Sequence, residues 1–250
     1  MGRLNNKVAI VTGAGSGFGA AIAQHYVDEG AKVLICDINV EAGEKLAATS
    51  DAFAFQAMNV SVAADWEAAM DKAISLWSKV DILVNNAGTS YKNKSTNEVT
   101  EEEFDKVFAV NVKSVYLGSN AFTSRAKKQG SGGAMVNIAS VGAHRPRPGL
   151  VWYNASKGAI TNATMGLAAE YGPDKIRVNS ICPLATMTGL LPTFIGKEIT
   201  PEVREKLTAN VPLGRLGELR DVSNAAVWLA SDEASFVTGV NLDVDGGRAI

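Results

Sequence analysis

Tyr153 and Lys157 stand four residues apart in Tyr153-Asn-Ala-Ser-Lys157, and Ser140 lies thirteen residues before the tyrosine. On a helix, positions i and i+4 share a face, so the lysine ammonium can sit beside the phenol and favour its ionised form. An unperturbed tyrosine titrates near pH ~10, too high to exchange protons readily at neutrality, and a neighbouring cation is the remedy. A phenol tuned in this way can take a proton from a hydroxyl or return one to a carbonyl oxygen. A serine hydroxyl beside it can donate to the same oxygen as charge develops there. Alone, Tyr-x-x-x-Lys is an ordinary helical pair and Ser140 an ordinary strand-end serine, so the weight rests on their company.

The first companion is an N-terminal glycine-rich turn. Lys7-Val-Ala-Ile-Val-Thr12 is a short apolar run, followed by Gly13-Ala-Gly-Ser16-Gly17-Phe18-Gly19 and then by a helical pattern from Ala20. In a strand-turn-helix of this kind the glycines let the backbone approach a pyrophosphate, and the helix N-terminus offers unpaired amides and a positive dipole end. The literal G-x-G-x-x-G spacing fails at Phe18, and what stands is Gly13-x-x-x-Gly17-x-Gly19. The second strand, Lys32-Val-Leu-Ile-Cys-Asp37, ends in an acid 20 residues after Gly17, where a carboxylate can accept hydrogen bonds from an adenosine ribose. Asn85-Asn86-Ala87-Gly88 follows another apolar strand, and its small residues suit passage of a cofactor past the strand's carboxyl end.

With these residues in order, the chain resembles the short-chain dehydrogenase/reductase family in its compact single-domain branch. The likeness runs from Thr12 through Asn86-Ala87-Gly88, Asn111, Ser140, Tyr153 and Lys157 to Val244-Asp245-Gly246-Gly247. It implies a tetrad: Tyr153 as acid/base, Lys157 as its activator and ribose anchor, Ser140 as carbonyl orienter, Asn111 as holder of a relay water. It implies a cofactor, NAD, lined by Gly13, Ser16, Gly17, Phe18, Gly19, Asp37, Ile38, Asn59, Val60, Asn86, Ala87, Gly88, Tyr153, Lys157, Pro183, Thr186 and Thr188. NAD is expected over NADP because Asp37 repels a 2′-phosphate, while Ser16 and Ile38 stand where NADP-using relatives place a cation. Two departures from the family pattern stand out. Leu184 replaces a glycine in Cys182-Pro-Leu-Ala-Thr-Met-Thr188, which restricts the backbone, and Asn59 stands where aspartate is usual beside the adenine. An amide can still donate and accept there.

The expected activity is interconversion of a secondary alcohol, such as a polyol, sugar or hydroxy compound, with its ketone. Two alternatives are an NAD-binding regulatory protein without turnover and an isomerase or epimerase using NAD transiently. The second kind of relative tends to carry a longer C-terminal substrate domain, whereas this chain ends shortly after Gly247.

The elements that must position these residues follow from the pattern. Apolar strands near 7–12, 32–37, 53–59, 81–86, 133–139, 175–181 and 239–244 alternate with amphipathic helices. That alternation predicts an α/β fold, a doubly wound, Rossmann-type parallel seven-stranded sheet with helices on both faces. Trp66, Met70, Ile74 and Trp77 form one helical stripe and are read as core. Thr100-x-x-Glu103 is a capping box opening a helix whose apolar face is interrupted by Asn111, an amide that must find partners. The whole of 1–250 reads as one domain, with a largely apolar substrate lid at about 189–211.

Composition sets the remaining bounds. A formal net charge of -2 without a basic stripe argues against nucleic acid as a partner. No run of 18 apolar residues spans a membrane, and the N-terminus lacks a signal-peptide core, so a cytoplasmic location is expected. Cys36 and Cys182 are isolated, with no metal spacing. The long helices at 101–128 and 150–172, Trp228, Phe236 and Val237 and above all the family resemblance point to a homotetramer. In Ala143-His144-Arg145-Pro146-Arg147-Pro148-Gly149 the prolines extend the backbone. The arginines are therefore expected to point outward, to solvent or a neighbouring subunit, and the substrate to be a neutral alcohol or ketone.

Overall fold

Every residue of β1 (Val8–Thr12) is buried, the pattern of a strand covered by helices on both faces. After it come α1 (Gly17–Asp28), β2 (Lys32–Asp37), α2 (Val40–Ala47), β3 (Phe53–Ala57), α3 (Ala63–Trp77) and β4 (Ile82–Asn85). The chain continues through α4 (Glu101–Phe108), a π-helical turn (Ala109–Lys113), α5 (Ser114–Gln129), β5 (Gly133–Ile138), α6 (Val151–Tyr171) and β6 (Ile176–Pro183). It closes with α7 (Leu191–Ile195), α8 (Pro201–Thr208), α9 (Leu219–Ala230) and β7 (Asn241–Val244). The computed structural model describes residues 2–186, 189, 191–196 and 200–250, and no helix among them is long and apolar enough to cross a membrane.

All strand pairs are parallel, in the order β3-β2-β1-β4-β5-β6-β7. This is the doubly wound sheet that the alternation predicts. The order reverses between β1 and β4, and ligands in such sheets bind at the carboxyl ends beside that switch point. One face is packed by Ile22 and Tyr26 of α1 with Val222, Ala226 and Val227 of α9. The other is packed by Trp66 and Met70 of α3 with Phe122 of α5. The predicted stripe on α3 is therefore core, with Ile74 and Trp77 half-buried at its edge.

Several boundaries differ from the sequence reading by one or two residues. β3 stops at Ala57 although apolar residues continue, and β4 stops at Asn85 because the Asn86 amide turns away to the Thr12 hydroxyl at 3.0 Å. The helix expected over 101–128 opens with the predicted capping box, Thr100 Oγ1 accepting from the Glu103 amide while Glu103 Oε2 accepts from the Thr100 amide. It is then interrupted at 109–113 by the π turn that carries Asn111.

Candidate active site

The floor of the site is the turn between β1 and α1. Gly13 (φ +62°) and Gly17 (φ +56°) take left-handed backbone that a side chain rarely adopts. Gly19 is required for a different reason: a methyl there would stand 2.2 Å from the Gly13 carbonyl oxygen and 2.5 Å from Asn86 Nδ2. Ser16, the N-cap of α1, makes no side-chain capping bond, so the first amides of the helix keep their capacity for an anion. Thr12 ties this turn to β4. Its hydroxyl donates to the Val84 carbonyl at 3.2 Å and accepts from the amides of Asn86 at 3.0 Å and Ala87 at 3.1 Å. The Asn86 side chain donates back to the Thr12 and Gly13 carbonyls. Sequence reasoning placed Thr12 only as the strand's end and missed it as the junction, since a threonine there carries no local mark.

At one end of the cleft Asp37 closes β2. Its Oδ2 accepts from the Gly15 amide and its Oδ1 from the Asn39 amide, each at 2.8 Å, which aims the carboxylate at the mouth of the glycine turn. Ile38 beside it is 75 % exposed, and Asn59 and Val60 complete that wall. Asn59 Oδ1 accepts from the Ser61 amide, leaving the Nδ2 donor. These residues fit an adenosine: a carboxylate for ribose hydroxyls, an amide donor and an apolar wall.

At the other end Ser140, Tyr153 and Lys157 come together from the end of β5 and from α6. Burial pushes the Tyr153 phenol up to about 12, and a hydrogen bond with Ser140 and the charge of Arg147 work against it. Burial draws the Lys157 ammonium down to about 8. Lys157 Nζ donates to the Ile138 carbonyl at 2.8 Å and lies 5.9 Å from the centre of the Tyr153 ring. The predicted i,i+4 pairing of cation and phenol is thus present, held by a strand-end carbonyl. Ser140 Oγ also accepts from the Gly142 amide at 3.1 Å, which orients the hydroxyl.

Asn111 is buried, but its amide has partners other than the relay water expected from the resemblance. Oδ1 accepts from the Thr89 amide at 2.8 Å, and Nδ2 donates to the Thr89 carbonyl at 3.0 Å and to Ser156 Oγ at 2.9 Å. The extra residue of the π turn lets the side chain reach both neighbours, and such turns release a main-chain carbonyl from the regular ladder.

These ends are joined in one cleft of about 740 Å³. It brings together the predicted Gly13, Ser16, Gly17, Phe18, Asp37, Ile38, Asn59, Val60, Asn86, Ala87, Gly88, Ser140, Tyr153, Lys157, Pro183 and Thr186. Gly19 and Asn111 lie behind its wall, and Thr188 falls outside the described residues. Thr186 directs its hydroxyl to the Leu184 carbonyl at 3.1 Å. Leu184 does not have positive φ, and its amide donates to the Val244 carbonyl at 3.1 Å, so the side chain in place of glycine fits without backbone strain.

Within the segment expected as a lid, Phe194, Lys206, Leu207 and Asn210 line the cleft. Phe194 of α7 packs on the Tyr153 ring, with centroids 4.9 Å apart. Arg147 departs from the sequence reading in part, being exposed as expected yet also part of the cleft. It lines the cleft beside Tyr153, and its Nη2 donates to the Phe194 carbonyl at 3.1 Å. The prolines do extend the segment, which puts Arg145 and Arg147 on one side. Asn154 Nδ2 holds the Arg147 carbonyl at 3.1 Å, and Gly149 (φ +82°) turns the chain, so that side is the cleft. Arg248 near the C-terminus also lines it and was missed, because no local signal links position 248 to position 147.

The comparisons with known proteins agree with this geometry. A family model described as enoyl-(acyl carrier protein) reductase matches residues 13–249. The 4-formylbenzenesulfonate dehydrogenase of Comamonas testosteroni is 46% identical over 251 residues, covering 99% of each chain. The NADP-dependent (R)-specific alcohol dehydrogenase of Lentilactobacillus kefiri is 37% identical over 250 residues, covering 98% of this chain and 97% of that one. The crystal structure of a 3-ketoacyl-(acyl-carrier-protein) reductase from Brucella melitensis complexed with NADH superposes with a TM-score of 0.94 at 44% identity. It covers 99% of this chain and 100% of that one.

Proposed function

The chain belongs to the short-chain dehydrogenase/reductase family and is an oxidoreductase acting on CH–OH groups, and from that premise we propose that it is NAD(H)-dependent and interconverts an alcohol with its carbonyl compound, Tyr153 being the acid/base. The observation that carries this is the convergence of Ser140, Tyr153 and Lys157 at one end of a cleft whose other end is Asp37 and the Gly13–Gly19 turn. Bound in that cleft, a nicotinamide dinucleotide supplies the hydride acceptor for oxidation and the donor for reduction. Asp37 and the α1 N-terminus hold its ribose and pyrophosphate.

In oxidation Tyr153, as phenolate, removes the hydroxyl proton while Ser140 donates to the same oxygen and fixes it in line. In reduction the phenol returns that proton to the developing alkoxide. Lys157 holds its ammonium beside the phenol and stabilises the phenolate electrostatically. Phe194 covers the tyrosine and keeps water from the reacting carbon. Asp37 supports NAD over NADP, because no cation stands beside it on the cleft wall among the described residues and a 2′-phosphate would meet like charge.

The relatives' names span a formylbenzenesulfonate, an alcohol and a 3-ketoacyl-(acyl-carrier-protein), so they share hydride-transfer oxidoreduction but point to no one substrate. The test is the nicotinamide absorbance band with NAD and NADP, across a panel of secondary alcohols, polyols, ketones and aromatic aldehydes. Reduction of NAD by at least one alcohol class, lost in Tyr153→Phe, is the expected result. Tight NADH binding with no turnover on any member would favour a regulatory protein instead.

A further inference from the structure

The cleft wall is strongly unbalanced in charge. Among its described residues stand Lys106, Arg145, Arg147, Lys157, Lys206 and Arg248, against one acid, Asp37, at the adenosine end. Lys157 serves the tyrosine, and Arg145 is engaged by the C-terminal segment, its Nη1 donating to the Arg248 and Ile250 main-chain oxygens. Arg147 and Arg248 are differently placed. Neither has a carboxylate within salt-bridge distance among the described residues. Arg248 Nη1 is out of solvent contact and has no hydrogen-bond partner among the described residues. Arg147 gives one Nη2 bond to a carbonyl and keeps its remaining donors at the cleft mouth.

A buried guanidinium N–H without an acceptor is destabilising, and two like charges facing one cavity repel. Such a pair is stable when an anion completes it. A dinucleotide's pyrophosphate is expected at the glycine turn and the α1 N-terminus, whereas Arg147 lies within electrostatic reach of Tyr153. Burial draws the Arg147 pKa down, the Tyr153 phenol opposes this and the Arg248 charge adds to it, which places all three groups within electrostatic reach of one another. The Asp245 carboxylate, the nearest acid in sequence to Arg248, accepts from the Gly247 and Ala249 amides instead.

We infer that Arg147 and Arg248 form an anion seat at the substrate end of the cleft, so that the alcohol or carbonyl compound turned over here carries a carboxylate or sulfonate. Guanidinium forks suit both oxyanions. The proposal rests on the reading of the cleft as a dehydrogenase site, and it replaces the neutral substrate expected from sequence.

The experiment uses isosteric pairs on the full-length enzyme: benzyl alcohol against 4-(hydroxymethyl)benzoate and 4-(hydroxymethyl)benzenesulfonate, and 2-butanol against 3-hydroxybutyrate. The anionic member of at least one pair is expected to have a kcat/KM at least tenfold above its neutral partner, with an advantage that shrinks as salt rises. In Arg147→Gln and Arg248→Gln the KM for the anionic member should rise at least tenfold more than that for the neutral one, while the NADH dissociation constant moves less than threefold. Calorimetric titration of 4-(hydroxymethyl)benzenesulfonate and 4-(hydroxymethyl)benzoate into the enzyme–NADH complex reads the seat without turnover. Neutral members preferred in every pair, or anion binding unchanged in both variants, would overturn the seat. Anion binding that depends on both arginines, with no turnover of any member, would uphold the seat and overturn the dehydrogenase reading. Preference for the carboxylate or for the sulfonate decides between the two sources of the charge.

Discussion

The Asn111 amide donates to the Ser156 hydroxyl at 2.9 Å, and that hydroxyl donates in turn to the Tyr153 carbonyl at 2.7 Å. Two members of the candidate tetrad are thus joined through a serine that belongs to the Tyr-x-x-x-Lys segment but not to the expected tetrad. The link ties the π turn to α6 and fixes the backbone from which the phenol projects. Ser156→Ala should leave Asn111 Nδ2 with one partner fewer and cost about 1–3 kcal/mol, read by urea unfolding. Because it acts on position rather than chemistry, kcat should fall severalfold with a displaced pH profile, while NADH affinity stays near the parent value.

Tyr153→Phe keeps the ring and removes the proton carrier. Alcohol oxidation should drop by at least about 100-fold, with NADH fluorescence titration unchanged within a factor of three. In the parent, oxidation needs the phenolate and so rises with pH, whereas carbonyl reduction needs the phenol and falls. Burial raises the tyrosine's pKa, and the hydrogen bond with Ser140 and the charge of Arg147 counter it. Lys157 also stands near the ring, 5.9 Å from its centre, and removing its ammonium in Lys157→Met should move the oxidation limb to higher pH, measured as initial rates between pH 6 and 10.

The same lysine has a stability signature. Its folded pKa is drawn down to about 8 from 10.5, so the unfolded chain binds more protons between those values. Stability therefore rises with pH across that window, and below pH 8 the full cost of burying the charge is present, up to about 3 kcal/mol. Losing the bond to the Ile138 carbonyl offsets about 1 kcal/mol of this. Lys157→Met should stabilise the fold by about 2 kcal/mol at pH 7, and the gain should shrink above pH 8. Denaturant midpoints at pH 7 and pH 9.5 give the comparison.

Asp37 is expected to set cofactor choice. NAD should exceed NADP in kcat/KM by at least tenfold, and Asp37→Ala should narrow the ratio by removing the like charge. Asp37 also holds the Gly15 and Asn39 amides, so the same change should weaken NAD itself severalfold. A variant that keeps the full preference for NAD would move the discrimination elsewhere in the cleft.

Tyr116 on α5 is 63% exposed, and Val151, Trp152 and Met165 on α6 are between 36% and 47% exposed, beside Phe236 at 103%. These are the helices that the sequence reading marked as faces for association, and we expect a homotetramer in solution. Light scattering at micromolar concentration should give about four times the chain mass, and charged substitutions at Tyr116 and Met165 should lower it. A monomer mass for the parent would contradict the expectation.

Alone, the sequence determined whatever is local and periodic. The β-α alternation sets the parallel sheet, the spacing of Gly13, Gly17 and Gly19 marks a close backbone turn, and Tyr153 and Lys157 share a helical face because of the helix period. Even Asp37 and Asn86 were legible, since strand ends in a doubly wound sheet converge on one edge. The tertiary structure decided the direction of side chains whose partners lie far along the chain. Thr12 meets residues more than seventy positions away, Asn111 meets Thr89 and Ser156, and His144, Cys182 and Asp243 come within 4.8 Å of one another although no spacing relates them. Arg147 lines the cleft because Asn154 and Gly149 shape its loop and Phe194 offers a carbonyl, and Arg248 comes within electrostatic reach of it only when the C-terminus folds back. An extended loop presents alternate residues to opposite sides, and which side is the cleft depends on contacts that no local pattern encodes.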